Sequence, residues 1–186
     1  QAIVMNISAD KKNAVEFFAG LGSQINNQTK VEGNQIVING QAPWHTDPNY
    51  TGVHPPVYKE GKGMRFEGRL LIRQEGGTIS AQDDKLHVKD AVSATITFVA
   101  ATSFNGFDKD PAVNGKDEKA ICKKYLSSLE TKKYPDLYKA HLADYSSLFG
   151  RVSIDLGEST ESTLPINQRI KNYKPGIDPA LTALYY

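Results

Sequence analysis

The sequence predicts a mainly β fold: an antiparallel β-sandwich portion over residues 1–116, followed by linker α-helices over residues 117–186. Apolar and polar residues alternate in short runs through the first part, as they do in half-buried strands. Polar turns, many with glycine, separate these runs at regular intervals, which favours a sandwich. From Asp117 onward the apolar residues recur at helical spacing instead.

The alternating runs predict eight strands, and each is bounded by turn residues. Gly33-Asn34 is typical of a tight hairpin turn, and Asp83-Asp84 and Glu75-Gly76-Gly77 mark two further turns. The predicted strands cover residues 3–8, 14–21, two halves of 30–41, 64–74, two halves of 78–88, and 91–101.

Two of these strands carry more information than the others. Residues 91–101 (AVSATITFVAA) form the most apolar run, so we expect this strand at the centre of its sheet. In residues 64–74 the apolar side chains occupy one face. Arg65, Glu67, Arg69 and Arg73 occupy the other, which we expect to be either solvated or ion-paired.

The second part predicts helices joined by breaks. Residues 117–130 place Ile121, Tyr125, Leu126 and Leu129 on one helical face. Residues 132–157 begin as a helix near Pro135, with His141 on its apolar stripe as a core or interface residue. After Gly150 they change to the alternation of a strand through Val152, Ile154 and Leu156. Residues 165–173 predict a short helix, and Asp178 is a natural N-cap, with Pro179 at the first helical position.

Composition excludes several classes of function. The 22 basic and 21 acidic residues give a net charge of +1, so neither nucleic acid nor an anionic membrane surface is expected as a partner. Cys122 is the only cysteine and can form neither an internal disulfide nor a thiolate cluster. No apolar run has the roughly 18 residues of a membrane span. The chain also lacks an initiator Met and stops within an apolar helical pattern, which we interpret as a piece of a longer protein.

Signatures of catalysis or cofactor binding are missing from the sequence. There is no glycine-rich phosphate loop, no nucleophile elbow and no zinc-protease motif. His45 and His54 share a loop with Asp47, but histidines beside prolines are usually solvated or bonded to backbone. We therefore expect no metal, no cofactor and no catalytic residue within this chain.

The irregular stretch over residues 42–63 is the best candidate for contact with a ligand. Structureless loops of about twenty residues are rare in compact domains and are usually functional or disordered. Trp44, Tyr50 and Tyr58 could stack on sugar rings, and His45 and Asp47 could bond hydroxyl groups. The alternative is that the loop packs against a neighbouring domain, and the two roles are compatible.

Three segments resemble glycoside hydrolase family 95. They are HLADYSSLFGRVSIDLG (residues 141–157), LPINQRI (164–170) and DPALTALYY (178–186), and QAPWHTDPNY and EGKGMRFEGRLLI are similar to the region before the family's linker. At Ile166-Asn167-Gln168 the sequence departs from the family's usual Thr-Asp-Glu. The resemblance covers nearly the whole chain.

The resemblance implies a parent enzyme that hydrolyses terminal α-L-fucosyl or α-L-galactosyl residues with inversion. It implies an N-terminal sandwich, a helical linker and an (α/α)6 catalytic barrel that this chain does not contain. The chain alone would then be inactive, with its own barrel domain and a glycan substrate as partners. A periplasmic or secreted location is implied in the same way.

Two rival functions remain open at this point. A freestanding carbohydrate-binding module would use the 42–63 loop as its whole function, and direct sugar binding by the chain would favour it. A purely structural or interaction domain would bind no ligand. The linker helices favour the enzyme, since a freestanding module has no use for an apolar helical end.

Overall fold

A computed structural model describes residues 2–185 and divides the chain into two compact units, one ending at Tyr134 and one starting at Pro135. The first unit contains eight strands and one helix. They are β1 (Ile3–Ser8), β2 (Val15–Ala19), β3 (Asn27–Glu32), β4 (Gln35–Gln41), β5 (Arg65–Glu75), β6 (Thr78–Gln82), β7 (Lys85–Ala91), β8 (Ser93–Thr102) and α1 (Glu118–Ser127).

The strands form two antiparallel sheets, which confirms the predicted fold class. The larger sheet has five strands in the order β1-β8-β5-β4-β3, and the smaller has three in the order β2-β7-β6. The predicted hairpins at Gly33-Asn34 and Asp83-Asp84 are both present, joining β3 to β4 and β6 to β7. The apolar strand β8 lies inside the larger sheet, but the middle position belongs to β5. Our placement of β8 at the centre was therefore wrong by one strand.

The main core lies between the two sheets. Ile36, Leu70 and Ile72 of the larger sheet pack with Leu86 and Val88 of the smaller one, and each is at least 90% buried. Alternate residues of each strand supply this core, so the period of two in the sequence identified the buried face. Val15 and Ala19 of β2 belong to the same cluster.

Helix α1 covers part of the opposite face of the larger sheet. Cys122 and Leu126 pack against Leu71 and Val99, with Leu129 at the edge of this second cluster. The buried face of α1 therefore runs through Glu118, Cys122 and Leu126. Our predicted face was wrong in including Ile121 and Tyr125, which are only partly buried or exposed.

The charged face of β5 lies under this cover, and its central charges are ion-paired. Glu67 is 1% exposed, and its Oε1 lies 2.6 Å from Nε of Arg69. Arg73, at the end of the strand, donates to the backbone oxygens of Glu130 and Lys132. The sequence predicted that this face is either solvated or ion-paired, and Glu67 and Arg69 are ion-paired.

The second unit contains most of α2 (Tyr134–Phe149), together with α3 (Ile166–Asn172) and α4 (Pro179–Tyr185). Asp178 caps α4 as predicted, since its Oδ1 accepts from the backbone N–H of Leu181 at 2.9 Å. Residues 152–156 form no strand, so that prediction was wrong. Val152, Ile154 and Leu156 are exposed, and no neighbouring strand among residues 2–185 pairs with them.

The boundary between the units places α1 with the sandwich. Our division at residues 116 and 117 concerns domains of a longer protein and stays a prediction. Within residues 2–185, none of the helices combines the length and apolar character that crossing a membrane requires.

Candidate functional site

The 42–63 loop is closed at its neck by backbone hydrogen bonds. His45 and Val57 form an isolated antiparallel bridge, with the Val57 N–H donating to the His45 carbonyl at 2.8 Å. The Ala42 N–H donates to the carbonyl of Met64 at 2.8 Å, one step closer to the sheet. The loop leaves the end of β4 and returns at the start of β5, so its neck is fixed to two paired strands.

Four of the five candidate residues lie at or near this neck. Nε2 of His45 lies 3.0 Å from Oδ1 of Asp47, so the two polar candidates bond to each other. Trp44 donates its backbone N–H to Val57 at 2.9 Å, and its side chain is 54% exposed. Tyr58 is half-buried, and its hydroxyl accepts from the backbone N–H of Asn26 at 3.2 Å.

Tyr50 lies apart from the other four, at the tip of the loop. It belongs to a single 3-10 turn, Asn49–Thr51, and its side chain is 85% exposed. Thr51 closes this turn by donating its N–H and hydroxyl to the Pro48 carbonyl at 3.0 and 2.7 Å. The loop therefore offers one aromatic group at its tip and the others at its neck.

Lys59 is the residue of the loop that sequence reasoning missed. Its Nζ lies 5.3 Å from the centroid of the Trp44 ring, which is the geometry of a cation–π contact. Trp44 and Lys59 lie on the two facing arms of the loop because the bridge between His45 and Val57 pairs these arms. The loop has three prolines between these arms and gives no periodic signal from which that pairing could be predicted.

A polar cavity of about 520 Å³ adjoins the neck of the loop. Asn26 and Gln41 line it, and both are bonded to the loop. Asn26 bonds to Tyr58, while Nε2 of Gln41 donates to the carbonyls of Lys59, at 3.1 Å, and Lys62. The loop and the cavity are thus parts of one region at the end of the larger sheet.

A second connection ties the loop to the segment before α1. Nζ of Lys62 lies 3.4 Å from Oδ2 of Asp110. The backbone N–H of Ala112, together with Lys62, holds the pKa of Asp110 below its ordinary value. The Asp110 carboxylate therefore stays charged at neutral pH and joins the loop to the segment that leads to α1.

The two histidines of the loop have separate hydrogen-bond partners. His45 bonds to Asp47, while Nε2 of His54 lies 3.2 Å from the carbonyl oxygen of Thr51. In the part of the chain that the structure describes, no group of three His, Cys, Asp or Glu side chains is arranged to hold a metal ion. The chemistry of the loop is that of aromatic faces and hydrogen-bonding groups.

Comparison with known proteins places the chain in a family. Residues 1–106, more than half of the chain, match the family described as Glycosyl hydrolase family 65, N-terminal domain. The chain belongs to this family. Residues 133–186 match a second one, described as Glycosyl hydrolase family 95 catalytic domain.

A curated relative agrees with both matches. The chain is 30% identical to the protein of Arabidopsis thaliana named Alpha-L-fucosidase 2, over 100% of this chain and 24% of that protein. The chain thus spans about a quarter of the length of this relative. These findings confirm the resemblance to family 95, and the chain is a family 95-like glycoside hydrolase sequence.

The family boundaries follow the structural ones closely. The match to the family 65 N-terminal domain covers all eight strands, and the match to the family 95 catalytic domain starts near the boundary between the compact units. The 42–63 loop and its cavity both lie in the first unit. Nothing in these matches concerns individual residues, so the five candidates stay a prediction.

Proposed function

We propose that this chain is the non-catalytic N-terminal and linker part of an exo-glycosidase that hydrolyses terminal α-L-fucosyl, or related α-L-galactosyl, residues with inversion. The observation that carries the proposal is the pair of ordered family matches, N-terminal domain first and catalytic domain second. The relative named Alpha-L-fucosidase 2 supports fucose as the first sugar to test.

The match of residues 133–186 to a catalytic domain also bears on the rival function. A freestanding carbohydrate-binding module would have no need for the start of a catalytic domain. The sandwich would instead support the catalytic domain of the same protein. In such an enzyme the acid and the activated water act outside residues 1–186.

The first experiment is an assay of the full-length protein that carries this chain. Release of nitrophenol from α-L-fucoside and α-L-galactoside substrates is measured beside residues 1–186 alone. We expect turnover by the full-length protein only. Proton NMR of the first sugar released then tests inversion, because an inverted α-L-fucoside gives β-L-fucose first. Turnover by residues 1–186, or α-L-fucose as first product, would contradict the proposal.

The role of the loop is contact with sugar units beyond the cleaved bond. Trp44 is exposed beside the polar pair of His45 and Asp47, so one region offers an aromatic face and hydrogen-bonding groups. Carbohydrates need both, since their rings have apolar faces and hydroxyl edges. Tyr58 holds the neck to Asn26, and Tyr50 adds an exposed aromatic ring at the tip of the loop.

Kinetics on two substrates separate this role from a structural one. Trp44→Ala and His45→Ala are compared with Phe107→Ala, which removes a 99% exposed aromatic ring from a different loop. For 2′-fucosyllactose, which has two sugars beyond the cleaved bond, we expect KM to rise about two- to tenfold in the first two variants, the value of one ring contact. For nitrophenyl fucoside KM should stay unchanged. Equal effects on both substrates, or none, would disprove sugar contact by the loop.

A further inference from the structure

The polar groove beside α1 adjoins the loop that the proposed function uses, but residues outside the loop line it. The cavity of about 520 Å³ adjoins a second of about 580 Å³, and the two share Gln28, Asn39 and Lys119. Both volumes lie in the range of small-molecule sites, roughly 300–1,000 Å³. The groove runs over the ends of β3 and β4 to the start of α1.

Carboxamide side chains dominate the lining. Gln28 and Asn39 are directly opposite each other on the paired strands β3 and β4, so their side chains share one face of the sheet. Asn26, Asn27 and Gln41 continue this set toward the loop. Each carboxamide offers two donors and an acceptor, which is the complement of a sugar hydroxyl edge.

One of these carboxamides has an unused acceptor. Oδ1 of Asn39 is buried and accepts no hydrogen bond within the described residues. Leaving a buried acceptor without a donor costs roughly 1–3 kcal/mol. Because this oxygen is also inaccessible to water, a ligand hydroxyl would reach it only once the Asn39 carboxamide turns into the groove.

Phe66 also borders the cavity, at the position of β5 that is paired with Gly40. A Cβ on Gly40 would meet Cζ of Phe66 at 2.2 Å and the carbonyl oxygen of Asn26 at 2.5 Å. The absence of a side chain at Gly40 therefore lets the Phe66 ring and the Asn26 backbone approach each other. Because Gly40 follows Asn39 along β4, this ring lies on the opposite face of the sheet from the Gln28 and Asn39 side chains, and the carboxamides form the hydrogen-bonding surface of the groove.

The charges of the groove favour a neutral ligand. Arg65 lies 3.4 Å from the Glu118 carboxylate and donates to the carbonyl of Ala112 at 2.9 Å. Lys30 lies 2.5 Å from Glu32, and this hydrogen bond holds the pKa of Glu32 below its ordinary value. Carboxylates thus pair with the cations at both ends, and Lys119 is one further exposed cation at the rim.

We propose that this groove is an accessory binding site for a neutral oligosaccharide, with Gln28 and Asn39 bonding its hydroxyls. This deepens the proposed function and rests on it, since a glycan-hydrolysing parent gives the groove its ligand class. The residues that line the groove all belong to the first unit, and the proposed function assigns no catalysis to residues 1–186, so the groove binds glycan without reacting with it.

Hydrogen–deuterium exchange on the full-length protein tests the groove directly. Cellohexaose and β-1,4-galactohexaose serve as neutral probes that carry no α-L-fucose, and hexagalacturonate serves as the charged one. We expect the neutral probes to slow exchange in peptides covering residues 26–41 and 115–121. Protection by hexagalacturonate alone, protection elsewhere, or a groove already protected without sugar by another part of the protein would overturn the proposal.

Matched variants assign the effect to the groove. Gln28→Ala removes an exposed carboxamide from β3, and Asn39→Leu removes the unpaired acceptor while keeping the size of the side chain. Each should weaken cellohexaose or galactohexaose binding about three- to tenfold, the value of one or two hydrogen bonds. Gln82→Ala, on the exposed face of the smaller sheet, should change nothing.

The second variant distinguishes a ligand site from a structural defect. Because Asn39→Leu removes a buried acceptor without a partner, its melting temperature should equal or exceed that of the parent. Normal folding with unchanged sugar affinity in both variants would overturn the proposal. These measurements need no hydrolysis, so failure of the fucosidase assay and failure of the groove are separate results.

Discussion

The buried ion pair on β5 is the residue-scale feature with the largest expected effect on stability. The side chains of Glu67 and Arg69 are 1% and 10% exposed. Removing one partner of such a pair leaves a buried charge, and Glu67→Gln should lower the free energy of unfolding by about 3–5 kcal/mol. Urea denaturation measures this change.

An exposed pair nearby supplies the control. Lys30 and Glu32 are also ion-paired, but their side chains are 62% and 42% exposed. Lys30→Met should therefore cost only about 0–1 kcal/mol. The double variant Glu67→Gln, Arg69→Met should recover much of the stability lost by Glu67→Gln. Equal costs for the buried and exposed variants would show that the Glu67 charge is not buried in solution.

Cys122 gives a second residue-scale prediction. Burial raises the pKa of its thiol to about 11, and the nearby Glu67 carboxylate acts in the same direction. The thiol also donates to the Glu67 carbonyl at 3.3 Å. At pH 8 it is therefore protonated and inaccessible, and a disulfide reagent should label it only as fast as the first unit unfolds. Rapid labelling in native buffer would contradict the packing of α1 on the sheet.

Residue burial on β5 shows what sequence could and could not predict. The alternation along residues 64–74 separated the apolar face from the charged one correctly. Whether that charged face was solvated or ion-paired depended on α1, which packs on it from some fifty residues later in the chain. An alternation with a period of two shows which residues share a face of a strand. It does not show which part of the protein covers that face.

At the scale of elements, the cap of α4 carries a pH-dependent prediction. Asp178 accepts from Arg169 at 2.8 and 2.9 Å and from the Leu181 N–H at 2.9 Å. The Arg169 hydrogen bonds, followed by the Leu181 N–H, hold the pKa of the Asp178 carboxyl below its ordinary value of 3.8. The stabilisation is thus fully present above about pH 4 and is lost as the pH falls through the folded pKa.

Asp178→Asn tests this sign. Asparagine keeps a capping oxygen but loses the charge that Arg169 binds. Thermal melts followed by circular dichroism should show the variant less stable than the parent at pH 7. The two should converge as the pH falls from 4 toward 2. A difference that persists at pH 2 would mean that something other than the ionised carboxylate stabilises this cap.

Elements whose signals lie in adjacent residues were predicted correctly, whereas an element that depends on a neighbouring strand was not. Asp178 and Pro179 identify the start of α4 from adjacent residues alone, and the hairpin turns at Gly33-Asn34 and Asp83-Asp84 are equally local. Residues 152–156 alternate as a strand does, but a strand also needs a neighbour for its backbone hydrogen bonds. Among residues 2–185 none is present, and the segment stays irregular.

The candidate site was likewise predicted only in part. Composition identified the 42–63 loop as a region rich in aromatic and imidazole groups, and the structure fixes its neck to the sheet. The groove was missed, because Gln28, Asn39 and Arg65 come from three strands whose register no single sequence states. Polar side chains dispersed along strands look like ordinary solvent-facing positions until those strands are paired.

For the whole molecule, the two compact units differ sharply in how much apolar surface they bury. The first has two clusters of buried apolar residues. In the described part of the second, Asp178 is the only residue less than 9% exposed. The apolar stripe of α2 is exposed through Leu142, Tyr145, Leu148 and Phe149. Burial of apolar side chains is the main source of folding stability, so residues 1–186 alone should unfold in two steps.

Limited trypsin digestion of residues 1–186 tests this difference. We expect early cleavage within residues 132–174 and a resistant product that retains residues 1–130, since Arg73 holds the backbone at Glu130 and Lys132 to β5.

The intact chain should also bind the dye ANS, and Leu142→Glu with Leu148→Glu should reduce that fluorescence. The control is the double variant Lys85→Glu with Lys89→Glu, which changes the charge at two exposed positions of β7. In the full-length protein both signals should disappear if the rest of the catalytic domain covers α2. Equal digestion rates for both parts of the isolated chain would show that the sandwich has no stability of its own.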